Sequence, residues 1–312
     1  MKKIYLLLII VSFYHFNSYG QDEQSSTPDS LKNWVIGGRI GLNFTNVSLT
    51  NWAGGGQESV SGTGNFLIRA DYKKNKFKWK NSFEVAYGLI KQGEAPVIKS
   101  DDKILFTSEL NYNYKPKWSF SNVFTFRSQF APGYNPPDSQ FVNNKISDWL
   151  APGYIQEALG FGYQPTEYLS FFLSPLTAKI TLVMDQRLAD NGEYGVDAAV
   201  RDSAGNIITP GKNIRAEIGA SFRMNFNKEV VKNVEFESVL DLFSNYLENP
   251  DALDVNWINN LNMKINDFMT TSVLTQLIYD QDIKIAAEND PTDIAPRTQF
   301  KSVIGIGITY KF

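Results

Sequence analysis

The chain has 312 residues, with 30 Lys+Arg against 33 Asp+Glu, 43% hydrophobic and 14% aromatic residues, one His and no Cys. Such a length holds one large domain or two ordinary ones. The missing cysteines exclude disulfides, thiolate metal sites, cysteine nucleophiles and lipid attached to a cysteine, and beyond the N-terminus no apolar run is long enough for a spanning helix.

Residues 1–20 read as a secretory signal peptide. Lys2 and Lys3 form its basic start, Ile4 to Phe13 its apolar stretch, and Ser18-Tyr19-Gly20 its small-residue cleavage site. Cleavage is expected before Gln21. The only histidine, His15, lies in this leader, so no His-dependent mechanism is expected of the mature chain. The mature chain carries 28 basic residues (30 minus Lys2 and Lys3) against 33 acidic ones, a net charge of -5. That balance gives no support to a nucleic-acid partner. Residues 21–32 are polar and aperiodic, which predicts a flexible periplasmic lead-in, and residues 33–312 are assigned to one domain.

From Trp34 onward polarity alternates with a period of two, the pattern of strands with one apolar and one polar face. In chain order the runs fall near 34–49, 59–73, 76–91, 102–115, 118–132, 151–164, 167–187, 213–227, 233–247, 254–265, 269–285 and 299–312. The clearest is Ile214, Ala216, Ile218, Ala220, Phe222, Met224 and Phe226, interleaved with Arg215, Glu217, Gly219, Ser221, Arg223 and Asn225. Runs of this length exceed the usual soluble strand of about five or six residues and suit a tilted membrane crossing of roughly nine to eleven. Tight connections alternate with long ones. About twelve antiparallel strands, one rim of short turns and one of long loops predict an all-β, up-and-down transmembrane β-barrel, with short periplasmic turns and long extracellular loops. Both termini then fall on the periplasmic side. The terminal Phe312 resembles the signal that such barrels present to the barrel assembly machinery. Trp34, Trp118, Trp257, Tyr310 and Phe312, near strand ends, are expected in aromatic girdles against the membrane lipid. Pro175 cannot donate to a ladder, so a bulge or break is expected near Ser174.

Several short segments resemble a known family: Leu49-Thr-Asn-Trp52-Ala-Gly-Gly-Gly56, Asp101-Asp102-Lys103, Arg127-Ser-Gln-Phe-Ala-Pro-Gly133-Tyr134, Leu150-Ala-Pro-Gly-Tyr154 and Ser174-Pro-Leu-Thr177. Together, and in this order, they are similar to a Bacteroidota barrel family catalogued as domain of unknown function 3078. The resemblance implies an outer-membrane barrel of a Gram-negative bacterium and implies no activity, cofactor or site residue.

If the apolar face meets lipid, the other face lines the lumen. Arg215, Glu217 and Arg223 then point inward from one strand, and Glu235, Glu237 and Asp241 from the next. A hairpin centred near Val230 sets Arg223 opposite Glu237 and Gly219 opposite Asp241. Further lumen candidates are Glu109, Arg127, Glu157, Lys179, Asp185, Arg187, Lys264 and Lys301. The mixture of signs suits either structural ion pairs in a partly filled lumen or a narrow water-filled path. Gly37, Gly41, Gly305 and Gly307 share the inner face of the first and last strands; relief of bending strain is preferred over a bare solute track. Trp52-Ala-Gly-Gly-Gly56, Asp190-Asn-Gly-Glu193 and Asp202-Ser-Ala-Gly-Asn206 read as turns rather than phosphate or calcium loops, and Tyr134-Asn-Pro-Pro-Asp138 as a rigid loop. No catalytic, metal or cofactor site is expected. The leading expectation is a narrow channel for small solutes. The alternative is a non-conducting scaffold or receptor whose outer loops bind an envelope partner or glycan.

Overall fold

Alternating side chains become a closed wall because each strand can turn its polar set inward and its apolar set outward while its backbone pairs on both edges. The computed structural model describes residues 33–47, 58–134, 145–287 and 290–312. Among them, twelve antiparallel strands close into one barrel. They are β1 (Trp34–Val47), β2 (Ser59–Lys74), β3 (Phe77–Gln92), β4 (Ile98–Lys115), β5 (Trp118–Ser128), β8 (Gly153–Thr166), β9 (Leu169–Leu182), β12 (Ile214–Val231), β13 (Val234–Asn245), β14 (Asp254–Lys264), β15 (Met269–Tyr279) and β18 (Gln299–Lys311). Three small hairpins stand in the long connections: β6 (Gly133–Tyr134) with β7 (Lys145–Ser147), β10 (Val200–Arg201) with β11 (Ile207–Thr209), and β16 (Lys284–Ala287) with β17 (Asp290–Pro296). The expected leader and lead-in, the 52–56 segment and residues 135–138 lie outside the described residues.

Each barrel strand pairs with its sequence neighbours, and β18 returns to β1. Register there runs from Arg39↔Lys311 to Phe44↔Ile306. The final residue seals the seam: Gly38 N–H donates to the Phe312 carbonyl at 2.8 Å, and Phe312 N–H donates to the Gly38 carbonyl at 3.0 Å. A Cβ at Gly38 would stand 2.5 Å from the Phe312 ring and 2.6 Å from the Leu67 carbonyl. Only glycine fits this crossing.

The tight turns follow residue chemistry. Asn75 and Asn233 take left-handed backbone at the β2–β3 and β12–β13 reversals, a conformation asparagine tolerates better than most residues. At the β14–β15 turn the Asn266 carboxamide oxygen accepts from the Phe268 and Met269 N–H groups at 3.0 and 2.7 Å.

The outer face is predominantly apolar. Ile304 (70% exposed), Phe44, Leu173 and Ile218 stand open on it, an arrangement that suits a hydrocarbon surrounding rather than water. Aromatic rings gather at the turn rim. Trp34 meets Tyr72 and Trp79, Phe77 meets Tyr112, Trp118 meets Tyr163, and Tyr310 meets Phe312. Trp257 stands apart from them, near the loop end of β14, where its indole N–H donates to Ser238 at 3.0 Å.

Pro175 sits in a bulge. Thr177 pairs with Gly219 and Ser174 with Ser221, so residues 175 and 176 have no place in that register. The extra residue reverses parity: Leu173 and Leu176 both face outward, while Ser174 and Thr177 are fully buried facing inward. The Ser174 hydroxyl lies 2.8 Å from the Leu159 and Leu176 carbonyls, and Thr177 Oγ1 donates to Ser174 and lies 2.7 Å from Ser221 Oγ. Removing the Ser174 hydroxyl takes a donor from these carbonyls and the acceptor from the fully buried Thr177. Ser174→Ala is expected to destabilise the barrel by about 1–3 kcal/mol, measured by urea unfolding from lipid vesicles, and an unchanged midpoint would show that the bulge holds without it.

Candidate functional site

The register sorts the candidate lumen residues. β12 runs on to Val231 before turning, so Arg223 pairs with Asp241, not with Glu237 as expected, and Gly219 pairs with Asn245, not with Asp241. The hairpin centre lies two residues further along than the sequence pattern placed it. Arg223 Nε donates to the Asp241 carboxylate across that pair. Glu237, nearer the turn rim, accepts from Asn227 and Asn260 at 3.1 and 3.4 Å, and Glu235 lies beside it on the same inner face.

Three further expectations are corrected. Glu157 shares parity with Ile155, Leu159 and Phe161 and pairs with Phe124 and Ala178, so it faces outward rather than into the lumen. β9 ends at Leu182, so Asp185 and Arg187 are not lumen-lining strand residues. Asp185 instead caps helix α1 (Gln186–Asp190), accepting from Leu188 N–H at 3.0 Å. Lys264, the last residue of β14, keeps the inner-face parity of Asn260 and Asn262 and pairs with Asp267 in the adjoining turn at 2.7 Å. The bare glycine patch is also largely filled. A Cβ at Gly41 would meet the Asn65 side chain at 2.7 Å, and one at Gly307 would meet Asn43 at 2.0 Å; only Gly305 faces open space among these inner glycines.

Two arcs of the interior differ. On β5, β8, β9, β12 and β13 the inward side chains are packed: Ser119, Ser121, Val123, Ala158, Thr181, Ser221 and Phe243 are all buried. Along β18 and β3–β4, ionic side chains stay open to solvent, and three pairs descend from the long-loop rim toward the turns. They are Lys301–Asp101 at 3.7 Å, Lys103–Glu84 at 2.7 Å and Lys80–Glu109 at 3.7 Å, each side chain between 27% and 51% exposed. Lys301–Asp101 joins strands that are not neighbours in the wall.

The long-loop mouth is braced by ion pairs. Lys179 lies 2.9 Å from Asp254, 3.6 Å from Glu217 and 3.8 Å from Asp280. Arg215 reaches Asp282 at 2.6 Å, Glu248 at 3.0 Å, Glu217 at 3.4 Å and the Gly195 carbonyl at 3.1 Å. One guanidinium therefore ties together three long connections, as its fork of donors allows. Arg127 lies against the Tyr154 ring at 4.6 Å. Above them Ala151, Val183, Leu188, Ala189 and Val196 form a small core with Tyr194 packed against it. The Tyr194 hydroxyl donates to the Ile146 carbonyl at 2.5 Å, and Lys145 bridges Asp148 at 2.7 Å and Asp185. The 129–152 and 183–213 connections are thus clasped together. The Asp202 segment is a turn: its carboxylate accepts from Ala204 and Asn206 N–H at 2.9 and 2.8 Å.

Sequence reading missed Asp101, Glu84, Lys103 and Lys80, although each shares parity with polar neighbours on its strand. It also missed Asp102 as the meeting point of two quoted motifs. Asp102 accepts from Phe130 and Ala131 N–H at 2.8 and 2.9 Å and pairs with Lys99 at 2.9 Å.

The sequence model of a family described as protein of unknown function (DUF3078) matches residues 44–134. The match takes in the 49–56, 101–103 and 127–134 motifs and stops before 150–154 and 174–177. No curated protein matches the chain. Among solved structures the chain is similar to an outer membrane channel from Pseudomonas putida F1, at 11% identity and TM-score 0.41, over 90% of this chain and 96% of that one. It is also similar to the translocator domain of autotransporter NalP from Neisseria meningitidis, at 8% identity and TM-score 0.40, over 91% of each. For the NanC porin the identity is 9% and the TM-score 0.37, over 89% of this chain and 100% of that one.

Burial works against ionisation of Asp185, but Lys145 and the Leu188 N–H outweigh it and hold its carboxyl below the ordinary value of 3.8. The clasp's stability is therefore present above that value and is lost as pH falls through the depressed one. Limited proteolysis of the 183–213 connection is expected to stay slow at neutral pH and to accelerate only below the ordinary aspartate range. Asp185→Asn should be cut faster at pH 7; equal rates for both proteins would show that the pair does not hold the loop.

Proposed function

We propose that this chain is an outer-membrane β-barrel whose interior forms a narrow, off-centre path for small polar or charged solutes. Membrane placement is supported by the closed ladder, which leaves no unpaired edge, together with the apolar outer belt and the turn-rim aromatics. The observation that carries the channel reading is the solvent-reached flight of ion pairs, Asp101–Lys301, Glu84–Lys103 and Lys80–Glu109, opposite a packed arc. A passage lined by both signs offers a hydrated ion or zwitterion partners at each level and concentrates neither sign at one constriction. The Arg215 network sets how far the mouth opens, because it fastens Gly195, Glu248 and Asp282 to the wall.

The clasped mouth supports a second reading, in which the barrel conducts nothing and presents its ordered outer loops to an envelope partner or glycan. Strand β18 with the Phe312 that follows it is the segment that this reading and the first both assign to recognition by the assembly machinery.

Single-channel recording in a planar bilayer separates the two, with unheated gel mobility as the folding control. Discrete steps are expected. Lys103→Met should move the reversal potential toward cation preference and Glu84→Gln toward anion preference, while Arg215→Ala should enlarge or destabilise the open level. A folded, inserted and silent barrel would leave the scaffold reading in its place.

A further inference from the structure

Within the outer belt, one ionisable side chain among the described residues is left uncovered between the rims. Glu157 points outward at mid-strand, flanked by Ile155 and Leu159 on β8, Phe124 on β5 and Ala178 on β9. Asp102 also faces outward, but the Phe130–Ala131 backbone covers it and Lys99 neutralises it. Glu157 receives a single amide donor, Asn122 Nδ2, from the adjacent strand. A carboxylate in hydrocarbon is costly unless more donors reach it. Beside the pair lies an apolar groove lined by Phe77, Leu110, Tyr112, Phe120, Asn122 and Leu159. On its other side Phe161, Leu173 and Leu176 form a ridge, each about half exposed.

We propose that this face, spanning β4, β5, β8 and β9, docks a second copy of the chain side by side in the membrane about a two-fold axis. The inference rests on the membrane placement argued above and not on conduction. A two-fold interface requires a patch that complements itself, and this one does so in both polarity and shape. Asn122 keeps a second amide hydrogen and Glu157 a second oxygen. Rotation about an axis near them lets each copy's Asn122 donate to the other's Glu157, closing a ring of amide–carboxylate bonds. The same rotation carries each ridge toward the other copy's groove. A lipid chain would fill the groove but supply no donor to the carboxylate.

The chain has no cysteine, so Leu159→Cys introduces one thiol at the proposed axis. In vesicles, oxidation of this variant is expected to give a covalent dimer, and the protein without it should run as a dimer by light scattering in mild detergent. Asn122→Leu combined with Glu157→Leu should weaken association by at least about tenfold, whereas Glu157→Gln, which still accepts and donates, should retain it. Unheated gel mobility identifies any variant that fails to fold, and the Glu157→Gln protein then decides alone. Barrels that insert yet stay monomeric, a doubly substituted barrel that dimerises as well as its parent, or a stoichiometric lipid retained in the groove would each overturn the dimer. Failure to insert into vesicles would remove the membrane placement itself, and the dimer with it.

Discussion

In an apolar surrounding a backbone N–H or C=O has no solvent partner, and a side chain has only two directions in which to point. Both demands meet in the strict two-residue alternation of this chain. It lets every strand pair on both edges while sending polar groups to one side and apolar groups to the other. The departures from alternation are informative for that reason. At Ser174–Thr177 the wall inserts a bulge and reverses parity, and the hydroxyls of Ser174, Thr177 and Ser221 bond one another and nearby carbonyls where the ladder slips. At Glu157 alternation is broken in composition only, because the strand keeps its phase and carries a carboxylate outward.

The interior follows a second rule, that buried charge must be paired and hydrogen-bonded. Arg223 with Asp241 and Lys179 with its three carboxylates obey it on the packed arc. On the β3–β4 arc the same chemistry is wetter, and exposed pairs contribute little to stability. In the channel proposed above, these charges would be the groups that meet a passing solute. The mouth combines the two regimes, with a small apolar core above and a guanidinium hub below.

Strand number, order and the two rims were legible from Trp34 onward because the alternation spans whole strands and because Asn75, Asn233 and Asn266 mark reversals. The bulge near Ser174 was legible from Pro175 alone. Register was not. The Arg223–Asp241 pairing depends on where the β12–β13 hairpin turns, and the stretch from Asn227 to Asn233, polar on both sides of Val230 and Val231, offers several equivalent reversal points. Glu157 was misassigned because its charge outweighed the parity of Ile155, Leu159 and Phe161 on the same strand. Asp185 and Arg187 were placed on a strand because the apolar run through Leu182 and Val183 continues without a turn residue, and the helix begins only where Asp185 caps it. The ladder of pairs on β3–β4 required knowing which strands stand side by side, which no single run discloses.

The Gly38–Phe312 seam has a kinetic consequence. Its two hydrogen bonds join the fifth residue of β1 to the residue that follows β18, the longest sequence separation between any two paired strands of the barrel. Contacts of such separation form late and slowly. Until β18 is in place, β1 therefore waits as an unpaired edge, and the Gly38–Phe312 pair belongs to the last step, in which the wall closes.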